Sequence, residues 1–116
     1  MKVIITRDSV CMADDCFAPN ETIIHINRHA SIELLLQEII KQNYLPKMSW
    51  LKSAWVMKIN KKTIAVVSPR WHKARYIVDK NQKVGEYCRL IPSIKVHFEY
   101  ISDSLPEMVY FKARST

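Results

Sequence analysis

Few side chains in this chain have the type and spacing that chemistry requires. Cys11 and Cys16 enclose Asp14 and Asp15 in a C-x4-C spacing. A structural zinc site takes four Cys or His ligands, and no second pair or nearby histidine completes the set here. The simpler reading is a polar loop with two small half-buried residues, so no metal is expected. Nucleophilic catalysis needs a thiol or hydroxyl beside an imidazole and an orienting group. His25 and His97 fall on the more polar faces of their strands and read as surface residues. Asp14 and Asp15 are the one obvious carboxylate cluster, and adjacent side chains point apart. A single glycine, Gly85, excludes a glycine-rich phosphate loop or dinucleotide fingerprint. The expectation is a protein without catalytic residues or a cofactor.

Two segments are better suited to contact than to reaction. Arg70-Trp71-His72-Lys73-Ala74-Arg75 surrounds one aromatic ring with cationic or potentially cationic side chains. Arginine and tryptophan dominate the energetics of protein interfaces. The same combination grips phosphates while a ring stacks on a base. The opposite feature is the loop carrying Asp8, Asp14, Asp15 and Glu21, which suits a basic partner. The candidate partner-binding residues are therefore Asp8, Asp14, Asp15, Arg70, Trp71, His72, Lys73 and Arg75.

The elements that would position them are legible from periodicity. Ser31 to Gln42 reads as a helix: Ile32, Leu35, Leu36, Ile39 and Ile40 form one apolar stripe, Ser31 can cap it, and Glu33 and Lys41 complement its dipole. Lys2 to Thr6 and Glu21 to Ile26 read as strands flanking a polar loop from Arg7 to Asn20. Asn43 to Pro46 ends the helix. Ser53 to Ile59 and Thr63 to Ser68 form a hairpin around Asn60-Lys61-Lys62, with Trp55, Met57 and Ile59 on one face. On its second arm Ile64 and Val66 oppose Ala65 and Val67. Tyr76 to Val78 suits a short strand and Gln82 to Leu90 a short helix. Ile94, Val96, Phe98 and Tyr100 point inward along a clean alternation, and Glu107 to Lys112 reads as a last strand. Runs of strands with a helix give an α+β class: a mostly antiparallel sheet packed on one main helix, with a β-grasp-like ββαββ opening.

Composition bounds the rest. The 116 residues suffice for one domain, 1–116, with 48% hydrophobic and 25% charged residues. No apolar run approaches the ~18 residues of a membrane span, and the start lacks the apolar core of a signal peptide. Three cysteines, an odd number, fit a reducing compartment. A soluble, cytoplasmic protein with no membrane partner is expected. The net charge of +7 is uneven. Residues 1–40 balance to −3 and residues 41–90 to +10, so the middle of the chain should attract an acidic surface.

The run Arg7-Asp8-Ser9-Val10-Cys11-Met12-Ala13-Asp14-Asp15, followed by the helix, Tyr44-Leu45-Pro46 and Ala54-Trp55-Val56, resembles a pattern in small bacterial proteins. The resemblance covers about the first 68 residues and extends to immunity proteins of polymorphic-toxin and contact-dependent growth inhibition systems. It implies a non-enzymatic protein that binds one cognate toxin domain and blocks its active site or substrate access. Inhibitors of nucleases are often acidic, whereas this chain is basic. Either the acidic loop makes the contact, or the toxin surface is acidic. The alternative reading is a small basic module for RNA or single-stranded DNA.

Overall fold

The computed structural model describes residues 1–8, 21–42, 44–45, 53–68, 71–88, 93–102 and 104–115. Asp14, Asp15, Arg70, Trp50 and the Cys11/Cys16 pair lie outside the described residues. The chain is α+β. Its strands are β1 (Lys2–Arg7), β2 (Glu21–His25), β3 (Ser53–Ile59), β4 (Lys62–Val67), β5 (Arg75–Tyr76) and β6 (Ser93–Ser102), and its helices are α1 (Ile32–Lys41) and α2 (Pro106–Arg114). The strands form one open sheet in the order β2-β1-β6-β3-β4-β5. Among the described residues only the β1–β6 pair is parallel.

α1 forms as its sequence dictates. Ser31 Oγ accepts from the Leu34 N–H at 3.1 Å, and Glu33 lies in the first turn and Lys41 in the last. The N–H groups of Ile32 and Glu33 donate to the carbonyls of Gln82 and Lys80, so the helix start is satisfied by the protein itself. Ile32, Leu35, Leu36 and Ile39 are buried. Each contributes about 1.5–3 kcal/mol of apolar burial. Ile40, expected in the same stripe, is 45% exposed, because the eighth step of a 3.6-residue period turns away from the sheet.

The face of the sheet under α1 carries Val3, Ile5, Trp55, Met57, Ile59, Ile94, Val96 and Phe98. That matches the alternation expected of β3 and β6. β1 runs one residue past its expected end. Arg7 is consequently 6% exposed, with its guanidinium 5.5 Å from the Tyr44 ring. The hairpin between β3 and β4 turns on two residues, Asn60 and Lys61, at φ 49° and 74°, and Lys62 already belongs to β4. Both central residues at positive φ suit the right-handed strand twist. The register shifts between Met57 and Lys58, pairing Ala65 with Met57 but Thr63 with Lys58. Ile64 is thus the extra residue of a bulge. It joins Ala65 in the α1-side core while Val66 faces the other way, correcting the strict alternation expected of that strand.

The largest correction concerns the C-terminal region. Glu107 to Lys112 is helix, not strand. Pro106 at the first turn, Glu107 beside it and Lys112 and Arg114 in the last turn are helix-end signals. The four-residue apolar run Met108 to Phe111 has no period of its own, so it reads equally well as strand. α2 packs on the sheet face opposite α1, where Val109 meets Ala54, Val56 and Val66. The sheet expected to pack on α1 therefore carries a second helix, α2, on its other face. β5 is shorter than the expected 76–78 strand and begins one residue earlier. The expected helix near residues 82–90 is a single 3₁₀ turn, Val84–Tyr87.

That turn explains the lone glycine. A Cβ on Gly85 would lie 2.8 Å from the Arg28 carbonyl oxygen, which also accepts the Gly85 N–H. A backbone atom held by a hydrogen bond cannot retreat cheaply. Gly85→Ala should cost about 1–3 kcal/mol, read as a lower urea midpoint with an unchanged m-value. An unchanged midpoint would show that the Arg28 strand of chain is free to shift.

Candidate functional site

Among the described residues, cationic and aromatic side chains gather where β5 meets α2. After β4 the chain turns, the Trp71 N–H donating to the Ser68 carbonyl at 3.1 Å. This sets the half-buried Trp71 against the α2-side core. The Arg75 guanidinium then stacks on the Trp71 ring at 4.1 Å from its centroid and reaches the Tyr110 ring at 5.8 Å. Arg114, one turn after Tyr110, stands over the same ring at 5.7 Å. The result is a ladder, Trp71–Arg75–Tyr110–Arg114. The Tyr110 hydroxyl donates to the Tyr76 carbonyl at 3.5 Å, tying α2 to β5. The Tyr76 side chain itself packs on the other face of the sheet, against the α1-side core, where burial first and the Glu33 charge second push its hydroxyl up to about 12.

Arginine stacked on aromatic faces keeps its donors at the rim for a carboxylate or phosphate. Arg75 and Arg114 are exposed, as are His72 and Lys73 in the turn beside them. α2 also shows apolar side chains to solvent: Leu105 is 42% exposed, Met108 52% and Phe111 60%. Between α2 and the sheet runs a groove of about 300 Å³, floored by Val56 and Ile101 and edged by Lys58, Glu99 and Lys112. Lys58 and Glu99 close on each other at 3.1 Å.

Of the residues expected in the basic stripe, Trp71, His72, Lys73 and Arg75 sit together on this surface. Sequence reasoning missed Tyr110, Phe111 and Arg114. Their signal was the four-residue spacing of Tyr110 and Arg114 behind Pro106, visible only once the segment is read as helix.

Asp8 sits elsewhere, at the far end of β1. Its Oδ1 is 3.0 Å from His97 Nε2 and its Oδ2 accepts the Tyr100 N–H at 2.9 Å. The Thr6 hydroxyl is 2.7 Å from His97 Nδ1. With Asp8 accepting from Nε2–H, Nδ1 is free to accept from the hydroxyl, so hydroxyl, imidazole and carboxylate form a chain resembling a catalytic triad. The three lie where β1 and β6 pair, with β3 and β4 between them and the β5 end of the sheet that carries the aromatic ladder. Both Asp8 oxygens are engaged in cross-strand bonds, which makes this a clasp on the one parallel pair. His97→Ala should accordingly cost about 1–2 kcal/mol of stability, measured by urea unfolding, while leaving contacts at the α2 surface intact. A stability unchanged from wild type would refute the clasp.

Among the described residues no group of three or more His, Cys, Asp or Glu side chains is placed to hold a metal ion, and no helix is long and apolar enough to cross a membrane. No family model, curated protein or solved structure matches the chain.

Proposed function

We propose that this chain is a non-catalytic binding protein of the immunity type, which neutralises a cognate toxin domain in the cytoplasm by occupying an acidic surface on it. The observation that carries this reading is the Trp71–Arg75–Tyr110–Arg114 ladder with the exposed Phe111 ring beside it. Tryptophan, tyrosine and arginine are the residue types that anchor interfaces, and the exposed Phe111 ring lies 6.5 Å from Tyr110, extending the ladder with apolar surface. The uneven charge favours the second option left by the sequence, an acidic toxin surface meeting the basic side of this chain. Asp8 supports the same choice, because its carboxylate is held within the fold by His97 and Tyr100. The direct test is co-purification with the product of the adjacent gene and protection of cells expressing it. A failure of both ends the proposal.

The exposed Phe111 ring next to Lys112 and Arg114 gives the second reading, a module for RNA or single-stranded DNA, a specific observation of its own. An exposed ring flanked by cations is a stacking platform. Binding of that kind falls steeply with salt. The Trp71 ring is the weaker platform, since Arg75 already covers one face at 4.1 Å. Binding to an oligonucleotide that does not respond to salt removes this reading.

A further inference from the structure

We infer that two copies of this chain associate through β2, edge to edge, to give one continuous antiparallel sheet across a two-fold axis at Ile23. The inference goes beyond the toxin-binding reading and does not depend on it.

β2 is the last strand on its side of the sheet among the described residues. The opposite edge, β5, is two residues long and begins with a charged Arg75, which are common protections against edge pairing. β2 has five residues, Glu-Thr-Ile-Ile-His, with no proline and no lysine. Its outward backbone groups follow from its register. Met1 and Ile26 exchange two hydrogen bonds, at 2.8 and 3.0 Å. Alternation in an antiparallel ladder then turns the N–H and C=O of Ile24 and Thr22 toward β1, and those of Glu21, Ile23 and His25 away from it.

The same three residues share the face of the sheet opposite α1, because Ile24 between them is buried against the core. Placing two β2 strands antiparallel about Ile23 sets Ile23 against Ile23 of the second copy. Glu21 then meets His25 of that copy, and the converse pair forms by symmetry. All three pairs are of the hydrogen-bonded kind, giving about six new backbone bonds. Ile23 is 46% exposed and would be covered by its own symmetry mate. Lys2 pairs with His25 across β1 and β2, so the incoming Glu21 meets a lysine as well as the imidazole. The strand is thus self-complementary in backbone, apolar contact and charge, which an isologous interface requires.

A five-residue edge is a small interface, so association should be weak, with a dissociation constant on the order of 10–100 μM. The test is sedimentation velocity of the full chain from about 5 to 500 μM, a range bracketing that value. Wild type should shift from monomer to dimer. Ile23→Lys sets two cations together on the axis and should weaken association at least tenfold. Glu21→Lys and His25→Glu should each weaken it by about tenfold, since each makes like charges meet. An equimolar mixture of these two variants should dimerise again, because Lys meets Glu in the mixed pair. Each variant should keep the wild-type circular dichroism, as all three side chains are exposed. A wild type that stays monomeric throughout, a dimer indifferent to Ile23→Lys, or a mixture no tighter than its parts would overturn the inference.

Discussion

Phe98→Ala should remove about 3–5 kcal/mol of stability, the usual cost of truncating a buried phenylalanine. Phe98 is fully buried on β6, the strand that joins the two halves of the sheet. It is paired with Arg7 of β1 on one side and Met57 of β3 on the other. The Tyr44 ring stands 6.4 Å from its centroid. The neighbours on both sides are fixed by backbone ladders, so the site cannot collapse onto the vacated volume. A domain of this size has roughly 5–15 kcal/mol in all, so the variant should melt about 10–25 °C lower or fail to fold. Phe111→Ala is the matched control. That ring is 60% exposed, and surface truncations cost within about 0.5 kcal/mol. Equal melting temperatures for the two variants would mean that β6 does not hold the core.

The second large effect is on binding. Arg75→Glu combined with Arg114→Glu should weaken the proposed complex with a toxin domain by at least about 100-fold. Arg75 is the rung shared by both aromatic rings, and Arg114 is the outer rung on Tyr110. Reversing both charges removes two anchors and sets carboxylates against an acidic surface. The folded chain itself should lose little, because an exposed cation–π contact is worth about 0.5–1 kcal/mol. Arg75→Lys separates charge from shape: it keeps the cation but loses the planar stack, and should fall between wild type and the double variant. Isothermal titration or surface binding against the purified toxin domain reads all three. An Arg75→Lys variant as weak as the double reversal would assign the contact to stacking alone.

What could be read without coordinates was the part of the chain with one dominant period. Ile32, Leu35, Leu36 and Ile39 announced α1 and its buried face, and Ile94, Val96 and Phe98 announced β6. The ββαββ order was legible for the same reason. Pairing was not, because nothing local in Lys2–Arg7 indicates that its neighbour is Ser93–Ser102, some ninety residues away, and parallel. The bulge at Ile64 was invisible for a similar reason: it exists only relative to Met57 on the partner strand.

The candidate surface was legible in half. Trp71 and Arg75 stood out by type, within a run of four cationic or potentially cationic side chains around one ring. Tyr110 and Arg114 did not, because a run of four apolar residues after a proline fits a strand as well as a helix. Pro106 followed by Glu107, with Lys112 and Arg114 at the far end, was the deciding signal. The Thr6–His97–Asp8 chain was hidden too, since its members are gathered only by the parallel β1–β6 pairing.

That chain and the aromatic ladder make opposite claims on how the molecule acts, and one experiment separates them. Cells expressing the product of the adjacent gene, the proposed toxin, would be supplied with wild type, with His97→Ala, or with Arg75→Glu/Arg114→Glu. Survival would be scored alongside the amount of folded protein. A protein that works by contact should protect as wild type and as His97→Ala, and should lose protection in the double reversal. Protection lost with His97→Ala at wild-type protein levels, and kept by the double reversal, would contradict the account.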